Sequence, residues 1–243
     1  MRIRFWFAAL LLLCALRPAT VDAQDRDEFQ LWSAMLTGVA TQPEPPGLMF
    51  WADLHARRGA AGTVVLVRPA VGVEVTPWLS LWAGYAWIPT FDDATGGTRH
   101  EHRVWQQATL KHRVQELGLA LSSRTRFEQR FSEAGDDVAL RLRQFVRANW
   151  RPSSEVPVGV AFWDELFVGL TQPDWGAPQG VDQNRVFLGP FLQATAWARL
   201  EVGYLFAYLD RGATDLYAHV LAVNLFLSPR PDAVTPVDED SRD

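Results

Sequence analysis

Two neighbouring stretches, SSRTRFEQRF (122–131) and ALRLRQFVRANWRP (139–152), carry charged residues at alternate positions. In the first, one set is Ser122, Arg124, Arg126, Glu128 and Arg130, and the other is Ser123, Thr125, Phe127, Gln129 and Phe131. The second repeats the pattern with Arg141, Arg143 and Arg147. A period of two is strand geometry, because successive side chains point to opposite faces of a sheet. Two adjoining strands with a shared arginine face have two ways to satisfy it. The face meets water outside a soluble sheet, or it turns into a closed barrel whose other face is apolar.

The length of the alternating segments separates these cases. Candidate strands fall at 28–40, 48–57, 63–75, 79–89, 103–114, 119–131, 138–151, 158–170, 184–194, 199–210 and 215–227. Soluble strands average about five or six residues, whereas a strand that crosses a bilayer needs about 9–11. The connections alternate as well. VTPW (75–78), QELG (115–118), PSSEVP (152–157) and TAWA (195–198) are tight. TFDDATGGTRHEH (90–102) and TQPDWGAPQGVDQ (171–183) are long, and SEAGDD (132–137) and RGAT (211–214) interleave with them along the chain. Transmembrane barrels have short turns at one rim and longer loops at the other. Aromatic residues gather where interfacial girdles belong. Trp78, Trp150 and Trp197 sit beside the tight turns, and Tyr85, Trp87, Trp105 and Tyr208 near the long loops. The expected fold is therefore all-β, a transmembrane antiparallel up-and-down β-barrel of ten to twelve strands. The count is eleven, but even numbers are usual. The segment 28–40 is thus expected to be half of a split pair, one strand of twelve, or a piece lying in the lumen. Gln106, Gln129 and Gln144 fall awkwardly on the apolar face.

The ends bound the rest. Arg2 and Arg4 precede the apolar run FWFAALLLLCAL, and VDA precedes Gln24, which reads as a signal peptide (1–23) cleaved after Ala23. The only cysteine, Cys14, lies inside that run, so the mature chain has no disulfide or thiolate chemistry. The barrel is assigned to 24–228 and an acidic, Pro-rich disordered tail to 229–243. The expected location is the bacterial outer membrane. A net charge of −5 argues against nucleic acid as a partner. The expected partners are outer-membrane lipid and lipopolysaccharide, the barrel-assembly machinery and small anionic solutes. No cofactor and no metal is expected.

Several segments carry a resemblance. EFQLWS, TPWLSLWAGY, HEHRVWQQATLKHRV, SRTRFEQRF, FWDELF and DQNRVFLGP, in that order and spacing, resemble the bacterial outer-membrane barrel family catalogued as domain of unknown function 2490. The resemblance spans most of 28–228 and implies a short, exported barrel. It implies no reaction.

Three classes of role are open. The first is structural, or a narrow passive channel. Its lumen is expected to be lined by Arg124, Arg126, Glu128, Arg130, Arg141, Arg143, Arg147, Glu165 and Arg185. Rings of arginine favour anions, yet polar lumens are also ordinary packing. His219 is projected inward too. The second is surface binding through outer loops carrying Asp92, Asp93, Asp136, Asp137, Asp174, Asp182 and Asp215. The third is a lipid-modifying enzyme. Nucleophilic catalysis needs a serine with a base in reach, and Ser122 and Ser123 have no histidine at strand spacing. HEH (100–102) offers two histidines on a loop, too few ligands for a metal. No catalytic residue is assigned.

Overall fold

A computed structural model describes residues 26–228 except 43, 154, 213 and 214. The signal peptide and the acidic tail lie outside the described residues. The chain forms eleven strands: β1 Arg26–Ala40, β2 Gly47–Gly59, β3 Gly62–Thr76, β4 Leu79–Asp92, β5 Thr98–Val114, β6 Leu119–Ser132, β7 Ala139–Trp150, β8 Val158–Gly169, β9 Gly180–Thr195, β10 Ala198–Leu209 and β11 Leu216–Leu227. Each strand pairs with its neighbours in sequence, and the sheet closes into a barrel through β1 and β11. No described helix is long and apolar enough to cross a membrane.

The strand count decides the form of closure. In a meander of eleven strands the first and last run the same way. The β1–β11 seam is accordingly parallel, in register from Arg26 opposite Leu216 to Thr37 opposite Leu227, while every other pairing is antiparallel. Segment 28–40 is thus neither a lumenal plug nor half of a pair. It is a full wall strand, hydrogen-bonded to β2 on its other side.

Faces follow the alternation. Exposed large apolar residues crowd the outside, among them Leu54, Val71, Leu81, Val104, Leu142, Leu188 and Leu221. Most charged residues of the wall turn inward, and Glu128, Arg141, Arg143, Glu165 and Glu201 among them are buried. This is the inverse of a soluble barrel, and it is what a hydrocarbon solvent demands: closure leaves no unpaired backbone edge, and the apolar face meets lipid. Trp78, Trp150 and Trp197 stand exposed at the short-turn rim. Tyr85 and Trp87 stand exposed toward the other rim, and Tyr208 donates to Asp215 there.

Trp105 corrects the girdle. It is 2% exposed and points inward. Opposite it on β4 is Gly84, and a Cβ built there would lie 2.2 Å from the indole. The glycine leaves a gap in the inner wall, and the ring fills it. Gly72 makes room for Trp82 and Gly159 for Phe191 in the same manner. Ring-over-glycine packing is a known way to repair a weakened strand. Phe226 also faces inward, where Arg147 and Arg199 lie over its ring.

The outward amides are paired rather than misplaced. Gln106 and Gln129 exchange hydrogen bonds at 3.3 and 3.1 Å across β5 and β6. Thr125 donates to Gln144 at 2.7 Å, and Gln144 donates to Ser123 at 2.9 Å. Asn184 donates to Asp164 at 3.0 Å. Each pair satisfies groups that lipid cannot.

Gly84→Ala should drive its new methyl into the Trp105 ring and the Pro69 carbonyl. We expect a loss of about 1–3 kcal/mol, read as a lower urea midpoint for unfolding from vesicles.

Candidate lumenal site

The inward face of β5 to β9 is one ion network. Glu128, on β6, is 1% exposed. Arg141 donates to it at 2.6 Å and Arg143 at 2.5 Å, both from β7. Arg143 also donates to Glu165 on β8 at 2.6 Å, and Arg124 reaches the same carboxylate at 2.7 Å. Arg130 and Arg103 share Glu101 at 2.6 and 2.7 Å. The strand period explains this order. Residues two apart on one strand stack along one face, and register sets Glu128 opposite Arg141 and Glu165 opposite Arg185.

Aromatic rings fill the space between the charges. Arg126 lies over Trp105 with its guanidinium carbon 3.9 Å from the ring centroid. Arg124 covers Phe145 at 4.2 Å. Arg143 and Arg185 cover Phe167, both at 4.5 Å. Such contacts suit arginine, whose flat guanidinium stacks on rings and bonds carboxylates at its edge.

All nine residues named for the lumen turn to the interior; eight join this network, and Arg147 bonds Asn149 and pairs with Glu201 on β10 instead. Asp182, expected among the loop acids, is instead buried near the start of β9, where the register against β8 shifts, and accepts from Arg141 at 3.3 Å. Its proximity to the strand start hid it. The inward face also pairs Asp53 with Arg68 at 2.7 Å and Lys111 with Glu74 at 3.5 Å. Among the described residues the buried inward face holds more arginines than carboxylates, and Arg185 stands 3.9 Å from Glu165, beyond hydrogen-bond distance.

The histidines stand elsewhere. His219 lies on the outer face of β11, against Tyr204 at 2.7 Å, because its inward neighbours are Ala218 and Val220. HEH is not a loop but part of β5. His100 stacks on Trp87 and His102 meets Tyr85 outside, whereas Glu101 points in. The alternation separates the three, so they cannot share an ion. Ser123 serves Gln144, and Ser122 faces inward opposite Lys111 and Arg147.

Above the network the β6–β7 and β8–β9 loops are clamped together. The Asp174 carboxylate accepts backbone N–H groups of Asp136 at 3.0 Å and Asp137 at 3.2 Å. Trp175 donates to the Asp137 carbonyl at 2.8 Å, and its ring lies over Arg130. The backbone donors hold the Asp174 carboxyl below its ordinary value.

A family model described as "Protein of unknown function (DUF2490)" matches residues 29–218. An uncharacterised protein of Methylorubrum extorquens is 38% identical over 231 residues, covering 92% of this chain and 97% of its own. Among solved structures, a NanC porin aligns with a TM-score of 0.45 and 13% identity, over 77% of this chain and 93% of its own. LpxR from Salmonella typhimurium aligns with 0.43 and 9%, over 74% and 83%. An OmpT of Vibrio cholerae aligns with 0.40 and 14%, over 74% and 62%.

Glu128→Gln should leave Arg141 with Asp182 alone and Arg143 with Glu165 alone. Removing one member of a buried pair costs up to about 3–5 kcal/mol where the other is left alone, and the remaining acids hold the loss below that ceiling, as urea unfolding measures against the parent barrel. Asp174 tests the loops. Its folded value is depressed, so its contribution is full above the unfolded value of about 3.9 and is lost as pH falls through the folded one. The protection of the Asp136 and Asp137 amides against hydrogen exchange, relative to the intrinsic rate at each pH, should be high at neutral pH and fall in acid as Asp174 protonates. Asp174→Asn should remove that pH dependence.

Proposed function

The chain belongs to the DUF2490 family, for which no reaction is described, and from its interior we propose that it is an outer-membrane barrel of a Gram-negative-type bacterium passing small anions at low conductance. The observation that carries this reading is the excess of inward arginine over inward carboxylate. A lumen of fixed cations draws anions in and repels cations. The lining is crowded, with Arg124 the most accessible of the arginines at Glu165, so bulky solutes do not fit the proposal. Passage is electrostatic and passive, without a catalytic step. Membrane lipid, lipopolysaccharide and the assembly machinery are the proposed partners.

A second reading has its own support. Glu128, Glu165, Arg141 and Arg143 are each at most 5% exposed, which suits a sealed barrel whose role is structural or lies at its loop rim.

Planar-bilayer recording of the refolded protein across a salt gradient decides between them. We expect small discrete steps with a reversal potential on the anion side. Arg124→Ala should move that potential toward zero. A folded barrel that stays silent would reject passage and leave the structural reading.

A further inference from the structure

Two arginines converge on one indole without a hydrogen-bond acceptor. Trp32 faces inward from β1, its Nε1 fixed by Gln30 at 2.7 Å. Arg57 stands opposite it on β2, with its guanidinium carbon 4.3 Å from the ring centroid. Arg185 reaches the same ring from β9, at 4.9 Å. Small residues open its path: Ala207 lies opposite Arg185, and Ala218 opposite Ala207.

Each guanidinium keeps a buried donor without an acceptor. Arg185 is 7% exposed, and its one carboxylate neighbour, Glu165, is 3.9 Å away. The Nε atoms of Arg57 and Arg185 are sealed from solvent and have no acceptor. Nearby carboxylates are engaged elsewhere: Asp53 by Arg68, and Glu165 by Arg143 and Arg124. Two like charges over one ring, each with a buried Nε donor unpaired, cost free energy unless an anion joins them.

We propose that Arg57 and Arg185, seated on Trp32, form a binding site for a small oxyanion, a phosphate or carboxylate group that accepts hydrogen bonds from both guanidiniums. This rests on the reading of the lumen as an anion environment and names its ligand chemistry. Each planar fork offers paired donors that match two oxygens of such a group, and chloride cannot engage them in that way. The indole face carries the cations from below and leaves their edges free. Arg57 is two residues from the end of β2 at the long-loop rim, which sets the route of entry on that side.

The test is calorimetric titration of the refolded full barrel in detergent with inorganic phosphate, at constant ionic strength in chloride. A parallel titration uses acetate. We expect saturable binding of phosphate, weakened about tenfold or more in both Arg57→Gln and Arg185→Gln, the loss expected for charge-assisted bonds. Arg185→Lys keeps the charge but not the fork, and should still weaken binding if either Gln variant fails to fold. Displacement of phosphate by acetate would show that the site takes carboxylates too; its failure would restrict the site to phosphate. No saturable heat in the parent protein, or equal affinity in the variants, would overturn the site. A barrel that binds phosphate at these residues yet carries no current keeps the site and loses passage. A barrel that conducts anions with unaltered binding in the variants keeps passage and loses the site.

Discussion

Arg143 sits between Glu128 and Glu165, and much of the barrel's interior order follows from that one placement. Three strands are fastened by it, since the acids belong to β6 and β8 and the arginine to β7. Ions inside a protein demand partners on every side, because each unmatched donor is expensive. A second arginine therefore attends each acid: Arg141 at Glu128 and Arg124 at Glu165. Rings occupy what the ions leave, and glycines on the facing strand admit the rings. The interior is specified by mutual requirement, while the outer face needs only to be apolar.

This asymmetry governs what could be read from the letters. The arginine stripe of β6 and β7 revealed both strand period and facing, since a charged row on neighbouring strands has few other places to go. Strand lengths and alternating connections then gave the barrel. Local signals failed where a residue's direction depends on its cross-strand partner. Trp105 looked interfacial by position, but Gly84 opposite it turned the ring inward. His219 and the histidines of HEH were ambiguous by type, and only the register of their strands settled their faces. Asp182 was hidden by a register shift near the start of β9, where strand and loop are hard to separate. The convergence of Arg57 and Arg185 on Trp32 was not legible at all, for it joins strands distant in sequence through the closure.

The outward polar residues illustrate a related limit. Singly, Gln106, Gln129 and Gln144 contradict a lipid-facing surface. In pairs they do not, because neighbouring strands supply the missing donors and acceptors. A single-strand pattern scores each residue against solvent. The sheet scores it against the strand beside it.

The odd strand number reaches into how the barrel comes to exist. Ten antiparallel pairings connect strands consecutive in the chain, so each can zip from its own turn. The parallel seam has no turn, and it joins the first strand to the last across nearly the whole described chain. Such a contact gains nothing until almost everything else is in place. The seam is accordingly the closing event of assembly, and until then β1 and β11 each present a bare edge to the bilayer. Since both run the same way, the first residue of β1 and the last of β11 finish on opposite rims.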